Sequence, residues 1–71
     1  MRINEAMKLQ QGNLVRCEAD RGDPAYIGRV TFAGGRVYTN IYGVEYTWIT
    51  VRRQDVRGQT ATWPSNRIER Y

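Results

Sequence analysis

Histidine is missing from this 71-residue chain, and cysteine occurs once, at Cys17. Without an imidazole, Ser-His, Cys-His and His-metal chemistry are excluded within one chain. A single thiol permits no intramolecular disulfide. Structural zinc takes about four Cys or His ligands, so it is excluded in a monomer. Lysine is almost absent too: ten of the eleven basic residues are arginine, and Lys8 is the exception. No apolar run is long enough to span a bilayer, and the opening Met1-Arg2-Ile3-Asn4-Glu5-Ala6-Met7-Lys8-Leu9 has no apolar signal core. The expectation is a cytoplasmic protein that does not associate with membranes, a compartment that suits a lone reduced thiol.

What is present begins with charge. Eleven basic and seven acidic residues leave a formal charge of +4. Arginine presents a planar fork to phosphate or carboxylate and stacks on aromatic faces. Together with Tyr26, Tyr38, Tyr42, Tyr46, Trp48, Trp63 and Tyr71, this bias suits a surface for an anionic or aromatic partner. The same excess charge also serves simply to keep a small protein soluble. The length fits one domain with one small core, burying roughly 60% of the extended-chain surface. A homo-oligomer would add buried surface to so small a core.

Along the chain, Asn4 before Glu5-Ala6-Met7-Lys8-Leu9 predicts an N-capped helix over residues 4–9, with Ile3, Ala6 and Met7 on its inner side. Gln11-Gly12-Asn13 ends it, and residues 12–71 read as β. In Leu14 to Ala19 the alternation puts Val15, Cys17 and Ala19 on one face. Asp20-Arg21-Gly22-Asp23-Pro24 is a turn cluster. Tyr26 to Ala33 is a strand with Gly28, Val30 and Phe32 on one face, and Gly28 allows a sharp bend. Gly34-Gly35 predicts a two-residue hairpin into a returning strand from Arg36 to Tyr42, with Val37, Thr39 and Ile41 facing inward. The next strand, Glu45 to Arg53, sets Thr47, Ile49 and Val51 against Tyr46, Trp48, Thr50 and Arg52, and either set could face the core. After a polar turn, the Thr62-Trp63 strand must stop at Pro64, which fixes φ and lacks an N–H. A turn at Ser65-Asn66 then leads to a last strand anchored by Ile68. Five or six short strands with these turn spacings predict an all-β barrel.

Two pieces carry a family likeness: the opening Gly12-Asn13-Leu14-Val15-Arg16, and the ending Trp63-Pro64, three residues, then Ile68-Glu69-Arg70. They resemble the frame of SH3-like barrels carried on bacterial phages and plasmids. The ending is similar to that of the plasmid-borne type II dihydrofolate reductase. The resemblance implies one SH3-like domain, with a short helix over 4–9 and the barrel over 12–71, in a mobile-element accessory protein. In that reductase family the residues before the proline form a Val-Gln-Ile-Tyr motif lining a tetramer's pore. Here Thr60, Ala61, Thr62 and Trp63 stand in those places. Ala61 has no amide for cofactor and substrate, and Thr62 replaces an apolar wall. The reductase activity is not carried over.

Other chemistry is sparse. The seven carboxylates show no spacing suited to an acid/base pair or a cation site, and Gly34-Gly35 lacks the lysine and helix of a phosphate loop. Cys17 lies on the apolar register and reads as a small core residue. The expectation is a non-catalytic binding module with no cofactor and no metal. Its candidate surface is Arg36, Tyr38, Tyr42, Tyr46, Trp48 and Arg52. Tyrosine, tryptophan and arginine are the residues of protein interfaces, and no lysine cluster marks a nucleic-acid path, so a protein partner is favoured. The alternative is nucleic acid stacked on the same rings, at about 1–3 kcal/mol per base. A reductase-like oligomeric enzyme is a third, remote option.

Overall fold

A computed structural model describes residues 1–20 and 22–71. Arg21, part of the expected turn cluster, lies outside the described residues. The elements follow in chain order as α1 (Ile3–Ala6), β1 (Leu14–Cys17), β2 (Tyr26–Ala33), β3 (Tyr38–Thr39), β4 (Glu45–Tyr46), β5 (Trp48–Arg53), β6 (Thr60–Pro64), one turn of 3₁₀-helix (Ser65–Arg67) and β7 (Ile68–Arg70). Five strands form one antiparallel sheet in the order β6-β5-β2-β1-β7, and β3 pairs with β4 in a separate two-stranded ribbon. The chain is all-β apart from the helical turns. The barrel is not closed: β6 and β7 are the two rims of the sheet and do not pair with each other.

Alternation builds the core as the sequence predicts. Val15 and Cys17 of β1, Val30 of β2, Ile49 and Val51 of β5, Trp63 of β6 and Ile68 of β7 are buried in one cluster with Leu9 and Tyr26. The ending behaves as its residues require. Pro64 closes β6, the 3₁₀ turn reverses the chain, and β7 pairs with β1 through Cys17 opposite Ile68. For β5, the inward set is Ile49 and Val51, with Thr47 buried just ahead of it, so Tyr46 and Trp48 face away from the core. The Met1 amino group donates to the Ser65 and Ile68 carbonyls and pairs with Glu69 at 3.2 Å, fixing the start of the chain against its last strand.

Four expectations are corrected. Helix α1 spans Ile3–Ala6 rather than 4–9, with Arg2 at its N-cap. Its buried side is made by Ala6, followed by Leu9, while Met7 is exposed. Phe32 does not share a face with Gly28 and Val30. A bulge falls between Val30 opposite Val51 and Phe32 opposite Thr50, so Thr31 is an extra residue that turns Phe32 outward. Gly34-Gly35 does not make a hairpin, because β2 pairs directly with β5. The predicted strand from 36 to 42 shrinks to Tyr38–Thr39, and its supposed inner residues Val37 and Ile41 are exposed. Residues 34–47 instead leave the sheet as an arm, turning at Asn40–Gly43, where Gly43 adopts φ +78°.

Gly28 is where β2 passes from its β1 partner to its β5 partner, pairing with both Val15 and Arg53. A Cβ there would lie 3.0 Å from Val51 Cβ and 3.4 Å from the Arg52 carbonyl oxygen. Both neighbours belong to a packed core strand and yield little. Gly28→Ala is therefore expected to destabilise by about 1 kcal/mol, the low end of overpacking costs, for a single added carbon. A urea midpoint equal to that of the parent would contradict the close approach.

Candidate functional site

The arm carries the aromatic residues singled out from the sequence. In the β3–β4 ribbon Tyr38 lies opposite Tyr46. Their rings stack with centroids 5.7 Å apart and planes at 25°. Tyr46 in turn meets Trp48 edge-on at 5.5 Å and 87°. The result is a continuous ladder, Tyr38–Tyr46–Trp48, running from the arm onto the first residue of β5. Stacked and edge-to-face pairs of this kind each contribute about 0.5–1.5 kcal/mol beyond area burial, which stiffens so short a ribbon. Trp48 remains 41% exposed.

The arm turns on Asn40. Its side-chain oxygen accepts hydrogen bonds from the Tyr42 and Val44 amides, at 2.9 and 3.0 Å. This local turn chemistry leaves Ile41 at 92% and Tyr42 at 83% exposure. At its root the arm is held by buried Thr47. The hydroxyl donates to the Gly34 carbonyl at 3.0 Å, and the Gly34 amide donates to the Trp48 carbonyl at 2.9 Å. On the other side the Thr47 amide donates to Ser65 Oγ, while the Ser65 amide donates to the Thr47 carbonyl. Thr47 and Ser65 are thus buried polar residues whose groups are all partnered, as burial demands.

Of the six residues expected to form one surface, Tyr38, Tyr46 and Trp48 come together. Tyr42 stands apart at the arm's tip. Arg36 is exposed in the stretch before β3, outside any strand. Arg52 lies on the same face of β5 as Trp48, with Thr50 between them, and is opposite Arg29 of β2.

A second constellation lies between rim strand β6 and the β1–β2 connection. A cleft of about 280 Å³ is lined by Glu18, Asp20, Asp23, Arg53, Trp63 and Arg67 among others. Two guanidinium groups lie over its aromatic walls: Arg53 4.1 Å from the centre of the Tyr26 ring, and Arg67 5.1 Å from that of Trp63. Trp63 Nε1 donates to the Tyr26 hydroxyl at 2.7 Å, and the rings meet edge-on. The charges here answer one another. Arg53 grips Asp55 with two bonds, at 2.9 and 2.7 Å, and Arg67 reaches Glu18 and Asp20 at 3.5 and 3.7 Å. The Arg53 guanidinium holds the Asp55 carboxyl below its usual range. Burial pushes the Tyr26 hydroxyl up from its ordinary value, against the hydrogen bond from Trp63. Sequence alone missed this cleft, because Arg53 gains Tyr26 only through the pairing of β5 with β2, and Arg67 is brought over Trp63 by the 3₁₀ turn that follows β6. Among the described residues no three His, Cys, Asp or Glu side chains are grouped to hold a metal ion.

Cys17 is fully buried beneath this cleft. Burial pushes its thiol up to about 11, outweighing the opposing pull of Tyr26 and Arg53. Native protein is therefore expected to resist alkylation at neutral pH, whereas denatured protein reacts readily. The folded state holds the thiol proton more tightly than the unfolded chain, whose value is near 9.0. This contribution to stability is complete below pH 9 and is lost as pH rises toward 11. A native thiol modified as fast as the unfolded one would contradict the burial.

No family model, curated protein or solved structure matches this chain.

Proposed function

We propose that this chain is a non-catalytic binding module that grips a protein partner through the arm of residues 34–47. The single observation that carries this is the ladder Tyr38–Tyr46–Trp48, rigidly rooted at Thr47 and ending in the exposed apolar tip Ile41-Tyr42. Aromatic side chains held in place before binding lose little entropy when a partner covers them. Hot spots of protein interfaces are rich in this chemistry. Arg36, two residues before Tyr38, and Arg52, on the same face of β5 as Trp48, suit a partner bearing carboxylates. The strand order and the 3₁₀ turn before β7 support the idea of an opened SH3-like barrel. With the phage- and plasmid-like frame of the sequence, the chain fits a small cytoplasmic accessory protein that blocks or recruits a host or phage protein.

The tip provides the test, since Ile41 and Tyr42 support nothing beneath them. Ile41→Ser with Tyr42→Ser should fold as the parent does. It should nonetheless weaken capture of a stoichiometric partner from nuclease-treated bacterial lysate by about 30-fold, the value of a 2 kcal/mol hot spot. If the parent and the tip variant retain the same proteins to the same extent, the arm is not the binding element.

A further inference from the structure

The outward face of the main sheet is a surface of its own, set by register rather than by the arm. Three cross-strand rows lie on it. Leu14, Arg29, Arg52 and Thr60 form the first; Phe32, Thr50 and Thr62 the second; Trp48 and Pro64 the third. Two features of these rows oppose stability. Arg29 and Arg52 are directly opposite each other, an arrangement of like charges that destabilises an antiparallel pair. Phe32 is 63% exposed because the Thr31 bulge turns it away from the core side that regular pairing would give it. A bulge that re-aims a side chain onto a binding face has a recognised functional use.

Charge on this face is mostly positive. Strands β1, β2, β5 and β6 contain no carboxylate. Among the described residues Arg16, Arg29 and Arg52 make no salt bridge. Six of the acids lie elsewhere: Glu18, Asp20 and Asp23 in the β1–β2 connection, Asp55 after β5, and Glu5 and Glu45 at the helix and arm. Glu69 is opposite Arg16 at the edge of the face, but its carboxylate reaches the Met1 amino group.

From this placement we propose that the outer face of the sheet binds single-stranded nucleic acid, with Arg29 and Arg52 on phosphates and Phe32 and Trp48 stacking on bases. Guanidinium groups without carboxylate competitors complement a polyanion. Phe32, opposite Thr50, and Trp48, two residues along β5 from Thr50, are diagonal neighbours on this face, and both are exposed. Thr50 and Thr62 hydroxyls hydrogen-bond across the strands at 3.2 Å. Two exposed rings bordered by threonine hydroxyls and arginines suit base stacking beside a phosphate track. A duplex hides its base faces, so the rings select single strands. Two residues along a strand advance roughly 7 Å, so Trp48 and Arg52 are about 13 Å apart, and the face accommodates only a few nucleotides. This goes beyond the arm-mediated function: it shares Trp48 and Arg52 with that reading, whereas Arg29 and Phe32 belong to this face alone.

The test is a titration of the whole protein with an oligothymidylate of about twelve nucleotides, within the range a small ssDNA-binding sheet covers. Trp48 fluorescence gives the signal, because Trp63 is buried. Quenching is expected at low salt. Affinity should fall about 7- to 20-fold from 50 to 200 mM salt, as two to three phosphate contacts on a single strand require. Arg52→Gln should reduce the slope of log affinity against log salt by about 0.7. Phe32→Ser should weaken binding about tenfold at all salt concentrations while leaving the salt slope unchanged. The Ile41→Ser/Tyr42→Ser tip variant should bind oligothymidylate as the parent does, which keeps this face separate from the arm. No quenching at low salt would overturn the proposal. So would equal affinity for a hairpin duplex, or a protein partner lost on Arg52→Gln while oligothymidylate is not bound at all.

Discussion

Trp63→Ala is expected to cost about 3–5 kcal/mol, the range for removing a large aromatic from a core. A domain of this size has roughly 4–11 kcal/mol to lose, so the substitution removes a large fraction of the total. The size of the effect follows from how many roles one side chain combines. Trp63 is 8% exposed, pairs with Ile49 across β5 and β6, and belongs to the core cluster. Its Nε1 holds the Tyr26 hydroxyl, and Arg67 covers its other surface. Alanine would leave a cavity, an unpartnered tyrosine hydroxyl and an uncovered guanidinium together. Trp63→Phe keeps much of the volume but leaves the buried Tyr26 hydroxyl without that donor, and should lose about 1–3 kcal/mol. Urea unfolding of both variants checks the ranking. Equal midpoints for alanine and phenylalanine would mean that the core does not close on this ring.

The second large effect is expected at Thr47→Val. Valine fills the same space but cannot donate to the Gly34 carbonyl, which would be left without that partner at a part-buried site. Loss of such a bond with its acceptor still buried costs about 1–3 kcal/mol. Here the loss should be local. The Ile49 and Val51 core below is untouched, whereas the arm's root depends on the Gly34 bonds to Thr47 and Trp48. Amide exchange should therefore accelerate across residues 34–47 before it does so in β1 or β2, and the ladder's near-ultraviolet circular dichroism should weaken. Uniform acceleration throughout the sheet would show that Thr47 supports the whole fold rather than the arm.

Much of the sheet is legible in the sequence, for a physical reason. Val15 with Cys17, and Ile49 with Val51, alternate against polar neighbours, and a strand's period of two then fixes the buried face. Pro64 and Ile68 likewise mark the last turn because proline allows few backbones. The errors fall where tertiary pairing overrides local signals. Gly34-Gly35 looks like a hairpin turn, yet β2 finds a better partner in Ile49 and Val51 than in Val37 and Ile41. The displaced stretch becomes the arm. Nothing in Thr31-Phe32 announces a bulge, so Phe32 appears to be a core residue until its register against Thr50 is known. The candidate surface divides in the same way. Tyr38, Tyr46 and Trp48 meet because two short runs pair, whereas Arg36 and Tyr42 depend on a loop path that composition does not specify.

The open sheet leaves two free backbone rims, and such rims ordinarily recruit a neighbouring chain by continuing the hydrogen-bond ladder. Both are blunted here. On β6 the rim ends at Pro64, which has no N–H to offer. On β7 it is three residues long, carries Glu69 and Arg70, and has its Ile68 carbonyl taken by the Met1 amino group. Strand-by-strand aggregation is thereby hindered at both ends. A sheet that is not sealed into a barrel can remain dispersed at high concentration and still keep one broad face uncovered.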